Sequence, residues 1–388
     1  MIDFTFVFGH EPWLLPAALE MVKVLKNQGL AVHVLYYGKN PVSGDLPEVD
    51  VLTIIPEDLS KKGKFTKEWK LKKTLNNTQS KYYIANDLIS AFALSWSKVS
   101  DEKCIFWAFE VYLPLKKFKP SLDYFRLKYL GKATQDFKII LIPSEERKIL
   151  YHQTFGKSLE DIVVLYNTKS TLNKPLTIDK KYAEVITADK VNVLYAGRFS
   201  PSQFADQIIA SSHFLPDGYQ WVICGVYDES YKSQIDNTPK MIGLGRLDIE
   251  SLSSVSQLCQ IGICFYDKSL LIDNEIPAPN KIGDYLSLGL KILTTDQKYL
   301  VDIVEKNHLG KSISTISPEN IANAIVEVSE NNNYKSKDLI IEHFLHHFNM
   351  NKEVDKLLHY LQIDLQESLG SDKKILFNNE NYHFGDIF

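Results

Sequence analysis

Short apolar runs that end at glycine, each followed by a segment of helical period, recur along this chain and restrict its fold more than any other feature. The first such unit opens with Ile2 to Phe8, stops at Gly9, and continues into a helical pattern from about Pro16 to Gln28. Ala18, Met21, Val22 and Leu25 share one face of that pattern, and Gly29 supplies its stop. Ala31 to Tyr36 reads as the next strand. A strand, a helix and a strand in so short a span form a βαβ unit, whose two strands must pair in parallel. Val51–Ile55, Cys104–Phe109, Ile139–Ile142 and Ile162–Tyr166 are further strand candidates, with helical segments at Asn86–Val99 and Leu122–Leu130. Strands apolar at nearly every position belong in a parallel sheet covered on both faces.

The rhythm lapses at NTKSTLNKPLTIDKK, a polar, proline-bearing run that begins at Asn167, and then restarts. Val191–Ala196 is a strand ending at Gly197, Phe204–Leu215 is helical, and Trp221–Cys224 ends at Gly225. Met241–Leu244, Ile261–Tyr266 and Lys291–Thr295 complete the second set of strands, and a helical tail runs from Pro318 onward. A chain of 388 residues exceeds what one core usually holds. The expected organisation is therefore α/β, with an N-terminal domain over 1–170, a linker over 171–190 and a C-terminal domain over 191–350. The remaining 351–388 reads as a helix and tail that pack back on the first domain.

Composition narrows the function classes. A formal net charge of -4 argues against nucleic-acid binding through a global field. Cys104, Cys224, Cys259 and Cys264 form no C-x-x-C pair, and they read as core thiols rather than as disulfides or a zinc site. The N-terminus lacks a basic region ahead of its apolar run, and no stretch is apolar for long enough to span a bilayer. The expected location is cytoplasmic, or peripheral on the inner face of a membrane.

The densest chemistry lies in DNEIPAPNKIGDYLSLGLKILTT, from Asp273 to Thr295. A polar loop with prolines feeds a short helix, followed by a glycine stop and a buried strand. Pro279 suits a first helical position, where a missing N–H costs nothing. Free backbone N–H groups at Asn280 and the cation Lys281 together suit a phosphate. Asp284 follows one turn beyond Asn280, where a carboxylate can accept hydrogen bonds from two neighbouring sugar hydroxyls, as on a ribose.

At this segment the sequence resembles glycosyltransferase family 4, whose GT-B fold sets two Rossmann-like domains face to face across a cleft. PNKIGDYLSLGLKIL, from Pro279 to Leu293, matches the family's P-x-K-x-x-E-Y-L-A-x-G-x-P-V-like segment, with Asp284 in place of the usual glutamate that binds the donor ribose. Leu290–Lys291 stands where Lys-Pro is common. VLYAGRFSPSQFADQIIASSHFLPDGYQWVICG, from Val193 to Gly225, resembles the opening of the donor domain. The resemblance implies that Gly197 and Arg198 meet the donor diphosphate. Gln203 and Phe204 replace the family's Lys-Gly pair, leaving Lys281 to supply the second positive charge. Asn274 and Glu275 fall in the loop that contacts the donor sugar. In the first half GHEPW, IPSEERKIL and VVLYN carry a vaguer likeness.

Two more residues stand at strand ends where open sheets bind ligands. His10 is read as an acceptor-side or catalytic group, or as an incidental histidine. Glu110 would orient an acceptor hydroxyl, or merely cap the next turn. His343, His346 and His347 lie on an amphipathic helix with no acid or thiol to complete a metal set. The basic tracts Lys61–Lys73, interleaved with Phe65 and Trp69, and Lys116–Lys119 read either as solvated loops or as a landing patch for an anionic membrane surface or acceptor.

The implied activity is transfer of a sugar from a nucleotide-diphosphate donor to a glycan or lipid-linked acceptor, in bacterial surface polysaccharide or glycan synthesis. Retention of anomeric configuration follows from the resemblance. The chain contains no Asp-x-Asp pair to hold a metal against the diphosphate, so no cofactor or metal is expected. The rival readings are a non-catalytic subunit that stabilises an active partner and a sugar-nucleotide epimerase of related fold. Neither half offers the G-x-G-x-x-G fingerprint of a dinucleotide dehydrogenase.

Overall fold

The computed structural model describes residues 1–42, 44–57, 65–110, 122–170, 178–269 and 275–362. The tract Lys116–Lys119, Lys61 to Lys64 of the other basic tract, residues 171–177 of the linker, Asn274 and the tail 363–388 lie outside the described residues.

Two wholly parallel sheets account for the architecture. The first holds β1 (Ile2–Phe8), β2 (Val32–Gly38), β3 (Val51–Pro56), β4 (Ser80–Ala85), β5 (Cys104–Trp107), β6 (Ile139–Ile142) and β7 (Ile162–Val164). Its strand order is β3-β2-β1-β4-β5-β6-β7. The second holds β8 (Val191–Arg198), β9 (Tyr219–Val226), β10 (Met241–Gly245), β11 (Ile261–Cys264), β12 (Lys291–Thr295) and β13 (Gly310–Ile313), in the order β10-β9-β8-β11-β12-β13.

The apolar character of these strands has the cause expected of it. Phe4, Phe6 and Phe8 of β1 enter one hydrophobic layer while Val7 enters the layer on the opposite face. β5 divides in the same way, with Ile105 and Trp107 on one side and Cys104 and Phe106 on the other. In the second sheet Leu194 faces one layer, and Val193 and Tyr195 face the other. Successive side chains point to opposite faces, so a sheet clad on both sides demands apolar residues at every position. All four cysteines are buried and unpaired, and burial pushes the Cys224 and Cys264 thiols up to about 12.

Several elements differ from the sequence reading, among them the helix Glu229–Asn237, which it did not include. β4 lies at the centre of the first sheet beside β1, yet SKYYIA carries too weak an apolar signal to stand out. β13 is an edge strand, GKSI, only partly covered. The basic tract becomes a helix from Thr66 to Leu75 rather than a solvated loop. Leu71 and Leu75 are buried beneath it, and Glu68 is buried in a pair with Arg126. Lys67 and Lys70 lie over the Tyr37 ring at 4.9 and 5.5 Å.

The last described helix returns to the first sheet. In the helix Met350–Tyr360, residues Met350, Val354, Leu357 and Leu358 join the layer that contains Met21, Val22 and Leu25. Glu353 of this helix is fully buried, where it accepts a hydrogen bond from the Tyr166 N–H at 3.0 Å and from Lys356 at 2.7 and 2.9 Å. Desolvation is the largest influence on this carboxyl and raises its pKa above 4.5, although Lys356 opposes it. A carboxyl raised on folding contributes stability below its unfolded pKa and loses that contribution as pH rises through the folded value. Glu353→Gln should therefore gain on the wild type as pH increases from about 4 to 8. Urea midpoints across that range give the comparison, and parallel curves would count against this account.

Candidate active site

In an open parallel sheet the loops at the carboxyl edge diverge where the strand order reverses, which leaves a crevice. In the second sheet this point falls between β8 and β11. β8 ends in Gly197 and Arg198, paired in register with Gly225 and Val226 of β9. Gly197 and Gly225 have φ of 128° and 139°, a region that L side chains rarely adopt. A Cβ built on Gly225 would lie 1.7 Å from the Gly197 carbonyl oxygen, so only glycine lets the two strand ends run so close. The Tyr195 hydroxyl donates to the Arg198 carbonyl at 2.6 Å and fixes the turn. The Arg198 side chain is exposed, and among the described residues no acid is paired with it.

Lys281 opens the helix Lys281–Ser287, and its ammonium reaches back to that same turn. Nζ lies 4.7 Å from the Tyr195 ring centroid and 5.3 Å from that of Tyr266. A Cβ on Gly197 would stand 3.7 Å from Nζ. Desolvation lowers the Lys281 pKa, and the charges of Cys264 and Asp284 oppose it. Aromatic faces compensate a dehydrated cation only in part, so an anion in this crevice would find an under-solvated ammonium. Tyr285 locks the arrangement: its hydroxyl accepts from the Ala196 N–H at 3.1 Å and donates to the Ile263 carbonyl at 3.2 Å. Gly262 makes room, since a Cβ there would lie 2.5 Å from the Tyr285 ring.

Two segments far apart in sequence, Gly197–Arg198 and Lys281–Asp284, are thus brought to one turn. Asn280, exposed, caps the helix without a side-chain bond, and Pro279 stands one residue before that cap rather than at the first helical position. Glu275 is exposed at the head of the loop. Asp284 is not a bare carboxylate, because its Oδ1 is 2.8 Å from Nζ of Lys169. Sequence reasoning passed over Lys169, which sits in a polar run with no period to single it out. Gln203 and Phe204 are held by the turn after β8. Gln203 accepts a 2.5 Å bond from Ser200, and Phe204 takes up the left-handed conformation, φ 61°, that a glycine would hold without strain.

The first sheet reverses between β1 and β4, and His10 lies at that point. Its Nε2 is 3.5 Å from Oδ2 of Asp87, and its Nδ1 is 3.2 Å from the Glu11 carbonyl. Asp87 caps the helix Leu88–Ser95 by accepting from the Ser90 N–H at 2.8 Å, and it accepts from the Gly9 N–H at 2.6 Å. Gly9 must be glycine here, since a Cβ would meet Ile89 at 2.4 Å. Glu110 is exposed just beyond β5.

Arg147, also unremarked in the sequence, joins the carboxyl edges of the two sheets. It follows β6, and its backbone N–H donates to the capping Ser144 hydroxyl at 3.2 Å. Nε donates to the Ile276 carbonyl at 2.8 Å, and Nη1 donates to the Phe109 carbonyl at 2.5 Å. Phe109 belongs to the first sheet's edge and Ile276 to the loop that leads to Lys281. Lys298 adds an ion pair with Glu146 at 3.2 Å across the same gap. The two edges therefore face each other, with His10 and Asp87 on one and Arg198, Lys281 and Asp284 on the other.

No family model and no curated protein matches the chain. Among solved structures, HepE of Anabaena, in complex with UDP and glucose, aligns with a TM-score of 0.73 over 93% of this chain and 100% of its own, at 13% identity. Sucrose-phosphate synthase of Thermosynechococcus elongatus aligns with a TM-score of 0.68 over 93% of this chain and 98% of its own, at 12% identity. A putative UDP-N-acetylglucosamine 2-epimerase of Listeria monocytogenes aligns with a TM-score of 0.63 over 94% and 97%, at 12% identity. At such identities the likeness is one of fold, and the fold is GT-B: two Rossmann-like domains that face each other across a cleft.

The close approach of β8 and β9 makes a direct prediction. Gly225→Ala must force the strand ends apart, at a cost of more than about 2 kcal/mol. Urea unfolding measures that cost, and a variant within experimental error of wild type would show that the strand ends are looser than described.

Proposed function

We propose that this chain is a glycosyltransferase that takes a sugar from a nucleotide-diphosphate donor bound in its second domain. One observation carries the reading: Arg198, with no acid paired to it among the described residues, and the partly dehydrated ammonium of Lys281 share a glycine turn at the sheet's reversal point, with a carboxylate one helical turn further on. Two cations at one turn suit a diphosphate, and the carboxylate of Asp284 suits the ribose hydroxyls next to it. The likeness to HepE, solved with UDP and glucose, supports the same class of donor.

The chemistry follows from where charge develops. As the bond from the anomeric carbon to the phosphate oxygen lengthens, the sugar gains oxocarbenium character and negative charge grows on the departing diphosphate. Arg198 and Lys281 lie where they would stabilise that charge without a metal ion, and this electrostatic term is the largest the protein can supply. His10 and Glu110, on the opposite edge, would hold the acceptor hydroxyl close to the anomeric carbon. Glu275 would contact the donor sugar. Retention of configuration is part of the proposal, as is a glycan or lipid-linked acceptor of the kind used in surface polysaccharide synthesis.

The likeness to a 2-epimerase keeps a second reading in view, in which the nucleotide sugar is converted without any acceptor. Product analysis with and without an added acceptor separates the two. Transfer that needs the acceptor supports the proposal, while the same product in its absence supports epimerisation.

Arg198→Ala and Lys281→Met should each lower the transfer rate by about 10²–10³-fold, the usual loss for one charge-stabilising group. Both should weaken UDP or GDP binding in isothermal titration while leaving the circular-dichroism spectrum unchanged. Full activity in both variants would remove the charge clamp from the mechanism. EDTA should leave transfer by the wild type intact.

The Thr66–Leu75 helix suggests where a membrane-bound acceptor would be met. Trp69, 62% exposed, and the exposed Lys73 lie four residues apart on one face. Basic side chains near an anionic surface contribute about 1 kcal/mol each. Co-sedimentation with phosphatidylserine vesicles should occur at low salt and should weaken in Trp69→Ala and Lys73→Glu; equal recovery with neutral vesicles would discount the patch. Among the described residues no helix is long and apolar enough to cross a membrane.

A further inference from the structure

Lys169 lies on the segment that crosses from the first domain, and that segment is held at almost every residue. Asn167 donates through Nδ2 to the Ala278 carbonyl at 3.0 Å, and Thr168 donates through its hydroxyl to the Phe348 carbonyl at 2.6 Å. The Lys169 carbonyl accepts from the Met350 N–H at 2.9 Å. Ser170 donates to Glu20 through both its N–H, at 2.9 Å, and its hydroxyl, at 2.5 Å. The segment also presses directly on the Lys281–Ser287 helix, because a Cβ on Gly283 would fall 2.6 Å from the Thr168 hydroxyl. The backbone that carries Lys169 is thereby fixed against the helix that carries Asp284.

The pair it forms there is asymmetric. The Lys169 side chain is 16% exposed and that of Asp284 is 42% exposed. The cation thus lies inside and the carboxylate faces outward. Oδ1 of Asp284 is taken by Nζ at 2.8 Å, and among the described residues Oδ2 has no hydrogen-bond partner. An aspartate has one fewer rotatable bond than a glutamate, and the anchored lysine removes most of the freedom that remains. The lysine also offsets a negative charge that would otherwise repel a diphosphate bound one turn away.

We propose that Lys169 is a positioning residue for the donor's ribose, resting on the donor reading above. It holds Asp284 by one oxygen, sets the direction of the other toward a ribose hydroxyl, and cancels the carboxylate charge beside the diphosphate. Lys169 thereby makes recognition of the pentose depend on the interdomain crossing as well as on the second domain alone.

The test is isothermal titration of the full chain with UDP, 2′-deoxy-UDP, 3′-deoxy-UDP and inorganic pyrophosphate. Lys169→Met should weaken UDP by roughly tenfold or more, the scale of a hydrogen bond to a charged group. It should also shrink the preference for UDP over whichever deoxy analogue the wild type discriminates against. Lys169→Arg should restore most of both. In an Asp284→Ala background, Lys169→Met should have no further effect on that preference, which keeps the question answerable if the single variant folds poorly. A purely structural lysine would lower the melting temperature and leave the ratio of UDP to deoxy-UDP affinity untouched, and that result overturns the inference. Unchanged or tighter UDP binding by Lys169→Met overturns it as well, since the lysine would then be a bystander or a competitor. If the wild type binds neither UDP nor pyrophosphate, the donor site itself falls and the inference with it; wild-type binding with an indifferent Lys169 removes the inference alone.

Discussion

Parallel strand pairing is the constraint from which the rest of this structure follows. Each strand must be left at its carboxyl edge before a helix carries the chain back, so every strand-to-helix loop of a sheet collects on one side. Where the order reverses, between β1 and β4 and between β8 and β11, two such loops part and leave a crevice. His10 and Asp87 occupy the first crevice, and Gly197, Arg198 and Tyr266 the second. Arg147 then faces the two edges toward each other by binding a carbonyl from each. A guanidinium suits this task, because its planar fork can serve two acceptors at once and keeps its charge when buried.

Charge in the second crevice is arranged with unequal solvation. Arg198 is open to water, Lys281 is stacked on tyrosine rings and depressed by desolvation, and Asp284 is half neutralised by Lys169. A poorly hydrated cation gains more from a diphosphate than a fully hydrated one, since it loses less water on binding. A glutamine rather than a lysine at position 203 therefore need not leave the site weak. An anion at the glycine turn would meet Lys281, held in an aromatic bed, beside the exposed Arg198.

Much of the fold was legible because burial on both faces writes itself into composition. β1, β2, β5, β8, β9, β11 and β12 are apolar along nearly their whole length and stand out without any partner in view. β4 did not, although it is central: its tyrosines and its opening Ser80 and Lys81 dilute the pattern, and the buried Ser80 hydroxyl finds its partner in Thr5 of the neighbouring strand. The Thr66–Leu75 helix was obscured by its lysines, two of which place their ammonium groups over the Tyr37 ring, a use of basic side chains that composition records as mere charge. In the candidate site, Gly197, Arg198, Lys281 and Asp284 were legible because each lies in a local pattern of strand, glycine and helix. Asp87, Arg147 and Lys169 were not, because their roles exist only where distant segments meet.

Those three residues share a further property: each spends part of its bonding on backbone or capping duties and part on the site. Asp87 caps a helix and faces His10, Arg147 ties two carbonyls beside the cleft, and Lys169 rides a hydrogen-bonded crossing while holding Asp284. Coupling of this kind makes the site depend on how the domains sit together. Asp284 and the loop at Ile276 both belong to the second domain, yet Lys169 comes from the crossing and Arg147 from the first domain. A change in the angle between the domains would therefore disturb the Asp284 carboxylate and the loop before Lys281 together.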